Sequence, residues 1–132
     1  MEQEYRHRRT SVSLVNYHFV WCPRYRRKVL SGAVEERLRE LVHQVAEQLE
    51  LKVLALEVMP DHRHLFVNAP PTISPHGIVA RIKGVTSHHL RREFSHLARM
   101  PSVWTRSYFV STAGPVSSEV VQKYIQMQKK RG

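Results

Sequence analysis

LKVLALEVMPDHRHLFVNA, Leu51 to Ala69, is the stretch that decides the fold of this chain. It holds two short apolar runs, "LKVLALEVM" and "HRHLFVNA", on either side of a Pro60-Asp61 step. Runs of this length, rich in Val, Leu and Phe and bounded by turn residues, read as strands. A Pro-Asp connection this tight makes them an antiparallel pair. The second strand opens with His62 and His64. In a strand, residues i and i+2 share a face and sit roughly 6.6 Å apart along the chain. The two imidazoles therefore project together, and Arg63 points the other way.

Upstream, Ser31 to Leu51 repeats Val34, Leu38, Leu41, Val42, Val45 and Leu49 at helical spacing, with Glu and Arg opposite. Before that, "SVSLVNYHFVW" from Ser11 alternates as a strand apolar enough to be central, and Pro23 ends it. Residues 1–10 are polar and expected to be loose. Downstream of "PPTISP", Ser74 is placed to cap a helix with Pro75 at its first position, running toward Phe94 or Leu97. "SVWTRSYFVSTAG" is a fourth strand. Gly114 and Pro115 break the chain, and residues 117–131 form a last helix carrying Val120, Val121, Tyr124 and Met127. Strand, helix, strand, strand, helix, strand is the split β-α-β plan. The expected fold is α+β and ferredoxin-like or RRM-like: a four-stranded antiparallel sheet with two helices on one face, plus the added C-terminal helix.

The chain has 132 residues, enough for one domain, 1–132, with a real core. No apolar run approaches the roughly 20 residues of a membrane span, and the N-terminus has no signal-peptide core. A single cysteine, Cys22, excludes an internal disulfide and a cysteine zinc cluster. A cytoplasmic protein with no membrane partner fits this best. Twenty-one Lys and Arg against eleven Asp and Glu give a formal net charge of +10. So positive a field favours polyanions, nucleic acid first.

Two neutral imidazoles on one strand face can chelate a divalent ion, with Asp61 beside them as an oxygen ligand or an acceptor that orients a ring. Two imidazoles are an incomplete site. A third ligand is expected elsewhere, and the carbonyl oxygen of Gln128 on the last helix is a candidate. Tyr124 lies one helical turn from it, on the same face. A phenol has an ordinary pKa of about 10, and its ionised form is favoured near a divalent cation and lysines. Lys123, Lys129, Lys130 and Arg131 flank it. Arg24, Arg26, Arg27 and Lys28 around Tyr25 form one candidate nucleic-acid contact patch. Arg81, Lys83, Arg91 and Arg92 form a second, on the helix after the histidines.

Together these residues resemble the HUH-type single-tyrosine transposases of the insertion-sequence 200/605 group. The matching pieces are "NYHFVWCPRYRRKVL", "MPDHRH", "RIKGVTSHHLRREF", "SYFVSTAG" and "YIQMQ", which cover nearly the whole chain in order. Arg63 stands where that family usually has a hydrophobic residue between the histidines, and "FSHLAR" lacks a proline often seen there. The resemblance implies His62, His64 and Gln128 as metal ligands and Tyr124 as the nucleophile. It implies Mg²⁺ or Mn²⁺ as cofactor, single-stranded DNA with end hairpins as substrate, and a homodimer whose active sites are shared between subunits. Imidazole ligands themselves favour Mn²⁺. No glycine-rich phosphate loop occurs, so no nucleotide cofactor is expected. The alternatives are a non-catalytic single-stranded nucleic-acid-binding module of RRM-like fold, a replication-initiator-like nickase with the same site, and a metal-dependent hydrolase that uses water.

Overall fold

The structure, a computed structural model, describes residues 3–24, 32–59 and 62–114. The expected tyrosine helix at 117–131 lies outside the described residues, and so do Asp61, Arg26, Arg27 and Lys28. Within the described residues the elements are β1 (Arg6–Arg8), β2 (Ser11–Ser13), β3 (Val15–Trp21), α1 (Gly32–Gln48) and β4 (Lys52–Met59). They continue with β5 (His62–Ala69), α2 (Pro75–Glu93), α3 (Ser95–Ala98) and β6 (Phe109–Ala113).

The main sheet has four strands in the order β4-β5-β3-β6, every neighbour antiparallel. This is the split β-α-β plan that the element order predicts. Alternation along β3 and β5 sorts their residues cleanly. Phe19, Trp21, Leu65, Val67 and Ala69 face α1 and α2 and join Leu38, Leu41, Val45, Ile78, Ile82 and Leu90 in one core. Asn16, His18, His64, Phe66 and Asn68 occupy the other face. A one-residue slip in register would exchange the two sets.

Local signals set the ends of both long helices. Ser74 Oγ accepts from the Gly77 N–H at 3.0 Å, with Pro75 at the first position of α2. At the end of α1, the Leu51 N–H donates to Ala46 O (2.8 Å) and the Glu50 N–H to Glu47 O (3.2 Å), with Glu50 at φ 58°. This paired closure turns the chain sharply into β4. Within β4, Val53 pairs with Val67 but Ala55 pairs with Phe66, so Leu54 is a bulged residue. Beyond the bulge, Glu57 lies opposite His64 and Val58 opposite Arg63.

Several boundaries differ from expectation. Residues 6–13 are tied down: β1 pairs with β2, and Arg6 Nε donates to Asn68 Oδ1 (2.6 Å) and Arg6 Nη2 to Glu50 O (2.8 Å). Those partners lie far along the chain, so no local pattern announces the hairpin. The expected first strand therefore divides into β2 and β3. The expected second helix stops at Glu93, and α3 follows as a separate turn. Of the expected fourth strand only Phe109–Ala113 pairs as β6, while Trp104 makes an isolated bridge to Pro23.

Arg63 is fully buried on the helix-facing side. Its guanidinium carbon sits 3.6 Å from the Trp21 ring centroid and 4.2 Å from that of Trp104, and Nη2 donates to the Trp21 carbonyl. Among the described residues Nε and Nη1 have no hydrogen-bond partner, and two indole rings lie against the guanidinium. Trp104 is itself held by α2, its Nε1 donating to Thr86 Oγ1 at 2.9 Å. Arg63 thus fills the place of a core side chain. Truncation by Arg63→Ala is expected to destabilise the protein by about 2–5 kcal/mol, as large core deletions do. Arg63→Met, which restores volume and removes the buried charge, is expected to stay within about 1.5 kcal/mol of the parent or to exceed it. Urea denaturation followed by tryptophan fluorescence checks both.

Candidate metal and nucleic-acid site

The face of the sheet away from α1 and α2 carries the histidines. His62 and His64 leave β5 on this same side, with ring centroids 5.1 Å apart and planes at 83°. The shared face that the His-x-His spacing implies is therefore present. A third imidazole joins them from the neighbouring strand: His18 Nε2 lies 3.0 Å from His64 Nδ1. The two rings are inclined by only 17° with centroids 5.3 Å apart. A nitrogen–nitrogen contact that short at that separation means end-to-end imidazoles in nearly one plane, not stacked faces. His18 in turn lies flat on Phe66, centroids 4.1 Å apart and planes at 2°.

His18 and His64 are buried, at 4% and 6% exposure. Burial pushes the His18 pKa down to about 4, helped by the neighbouring His64. Burial also pushes His64 down to about 4, with His62 and Arg63 adding to the effect. Both rings are neutral at pH 7 and keep a lone pair. That suits metal ligation, which needs unprotonated imidazole. His62 and His64, on one face with ring centroids 5.1 Å apart, fit a divalent ion as two of its ligands. Among the described residues no group of three His, Cys, Asp or Glu side chains could hold an ion. Glu57, although opposite His64 in the ladder, does not complete one. A third ligand has to come from elsewhere, and Gln128 and Tyr124 lie outside the described residues.

The cationic residues fare differently. Lys83 Nζ donates to the carbonyls of Thr105 (2.6 Å), Arg106 (3.2 Å) and Ser107 (3.4 Å). An ammonium has three N–H donors, so these carbonyls engage Lys83, which anchors the chain leading into β6. Arg24 Nη1 donates to Ser102 Oγ at 3.0 Å, which ties it to that same segment. Arg81, Arg91 and Arg92 are exposed on α2. Arg91 and Arg92 line an open groove of about 520 Å³ with Ser87, His88 and Ala98. Because α2 covers the opposite sheet face, this basic patch lies on the far layer from the histidines.

Sequence reasoning missed His18 and Phe109. Both follow from cross-strand register, which a linear reading does not contain. Val20 pairs with His64 on one side and with Phe109 on the other. Phe109, 53% exposed, therefore stands in the same row as His64 two strands away, its ring edge-on to His18 at 5.9 Å.

The sequence profile of the family described as "Transposase IS200 like" matches residues 11–128. The chain belongs to the IS200-like transposase family. Among its relatives is the ISDra2 transposase TnpA of Deinococcus radiodurans, 32% identical over 117 residues that span 86% of this chain and 84% of that protein. A crystal structure of a candidate transposase from Deinococcus radiodurans R1 superposes with a TM-score of 0.77 at 31% identity, covering 93% of this chain and 97% of the other. A REP-associated tyrosine transposase bound to a REP hairpin shares the fold at a TM-score of 0.59 and 18% identity, over 89% of this chain and 67% of its own. The IS200-like profile spans both histidines, and it extends through Tyr124 to Gln128. No helix of the described residues is long and apolar enough to cross a membrane.

The low pKa values of His18 and His64 carry a consequence for stability. Between about pH 4 and the ordinary 6.5, the unfolded chain binds protons at these rings that the folded chain refuses. Stability must therefore fall as pH drops through that window and be insensitive to these groups above it. Denaturation midpoints measured from pH 7.5 to 4.5 are expected to decline below pH 6.5. A His18→Phe variant is expected to show a shallower decline.

Proposed function

We propose that this chain is an insertion-sequence transposase that cleaves and rejoins single-stranded DNA by transesterification through a 5′-phosphotyrosine at Tyr124. The observation that carries this reading is the juxtaposition of His62 and His64 on β5 within a chain that matches the family through Gln128. The Tyr124 phenol oxygen bonds to phosphorus, the bond to the 3′-oxygen breaks, and the departing strand takes up a proton as a 3′-hydroxyl. The 5′-phosphate remains on tyrosine until a second 3′-hydroxyl reverses the exchange on another strand. The phosphotyrosine conserves the energy of the broken linkage, so no nucleotide cofactor is required.

His62, His64 and Gln128 would hold the divalent ion, Mg²⁺ or Mn²⁺. Bound there, it supplies Lewis-acid neutralisation of the phosphodiester oxygens. The two imidazoles offer nitrogen ligands that suit Mn²⁺. Single strands expose base faces, and Phe109 offers one of them a stacking surface beside the histidines, roughly 10 Å from His64 across two strand spacings. Hairpins at the element ends are the expected recognition signal, in keeping with the hairpin bound by the REP-associated transposase of this fold. Arg81, Arg91 and Arg92, with Arg26, Arg27 and Lys28, supply cations for phosphates. The working unit is a homodimer in which the tyrosine helix of one subunit completes the site of the other.

Incubation with end-hairpin oligonucleotides and Mn²⁺ is expected to yield a covalent protein–DNA adduct with single-stranded but not duplex substrate. Tyr124→Phe is expected to abolish the adduct while leaving binding intact; His62→Ala and His64→Ala are expected to abolish it as well. A free 5′-phosphate with no adduct would point to water as nucleophile, and binding without cleavage in the parent chain to a non-catalytic module. Phe109→Ala is expected to weaken binding of the single strand by about 1–3 kcal/mol, as loss of one stacked base does. Fluorescence anisotropy measures it.

A further inference from the structure

We infer that His18 is a positioning residue for His64: its Nε2 accepts the His64 Nδ1–H and so turns the His64 Nε2 lone pair outward as the ligating atom. The inference rests on the metal site proposed above.

The two nitrogens of an imidazole lie on opposite flanks of the ring. With Nδ1 of His64 held 3.0 Å from His18 Nε2, the Nε2 of His64 must point away from His18. A neutral imidazole carries one proton, and a nitrogen cannot hold both a proton and a metal. Ligation through Nε2 therefore requires the proton on Nδ1, and that proton requires an acceptor. His18 Nε2 stands at hydrogen-bond distance in nearly the same plane, at 17°. Ligating histidines ordinarily find this acceptor in a carboxylate, a carbonyl or water. Here a second imidazole takes that place.

The acceptor is itself rigid. His18 lies flat on Phe66 at 4.1 Å and meets the edge of Phe109 at 5.9 Å. In the ladder His18 pairs with Phe66, and Val20 pairs with His64, so the two histidines are diagonal neighbours across β3 and β5. Both ends of the hydrogen bond are thus set by the central strand pair, before any ion arrives.

The proposal is tested with the full-length protein and two readouts. In metal-free wild type, long-range nitrogen–proton NMR spectra are expected to show His64 as the Nδ1–H tautomer; an Nε2–H tautomer would overturn the proposal without any variant being made. Titration with Mn²⁺, followed by electron paramagnetic resonance of the free ion, gives the second readout. His18→Phe keeps the stack on Phe66 and cannot accept a hydrogen bond. It is expected to weaken Mn²⁺ binding about 10- to 100-fold, the usual effect of losing such a partner. His18→Gln can accept through Oε1 and is expected to bind within about threefold of wild type, a rescue that a purely packing role would not produce. Unchanged Mn²⁺ affinity in His18→Phe, alongside its loss in His62→Ala, overturns the role of His18 and leaves the metal site standing. Unchanged affinity in both His62→Ala and His64→Ala overturns the metal site, and this inference with it.

Discussion

The pairing of β3 with β5 at the centre of the sheet is the constraint on which the rest depends. Seven consecutive residue pairs, from Val15–Ala69 to Trp21–Arg63, hold it in one register. One side of that ladder is Phe19, Trp21, Leu65 and Val67, sealed against two helices. The reverse side is a row of rings and amides: His18, His64 and Phe66, then Asn16 and Asn68. Hydrophobic burial of the first set fixes the geometry of the second, because side chains on a pleated strand cannot change faces independently. The chemistry on the second face is therefore positioned by an apolar core it does not touch.

The sequence revealed most of what is set by local pattern. Alternation and helical spacing disclosed the order of strands and helices, the cap at Ser74, and the common face of His62 and His64. What was not legible depended on partners distant in the chain. The N-terminal hairpin is held by Arg6 against Asn68 and Glu50, contacts spanning 62 and 44 residues. His18 acquires meaning only when the register sets it against His64. Lys83 looked like part of a basic patch because its helix is rich in arginine, yet the carbonyls that occupy it belong to the segment before β6. Charge along a helix identifies cations, not which of them are already engaged.

Arg63 puts a cation at a core position, and the structure explains how it is accommodated. A guanidinium is flat, weakly hydrated for a cation, and stacks on aromatic faces. Trp21 and Trp104, with planes at 82° to each other, both lie against it, and one main-chain carbonyl takes a hydrogen bond. A lysine has neither the planarity nor the weak hydration to sit there. The histidines flanking Arg63 in sequence belong to the opposite surface, and Arg63 reaches His64 only through its charge, which adds to the lowering of that pKa.

The bulge at Leu54 has an implication for how this strand can vary. Its one extra residue puts the carboxylate of Glu57 beside His64 and the methyl groups of Val58 over the helices. Shorten the chain there by one position and the far half of β4 inverts, thrusting an acid into the oil-like layer and an aliphatic group toward the imidazoles. Descendants of this sequence are thus free to change the identity of that residue but not to delete it, so lineages should diverge here by spelling and not by length.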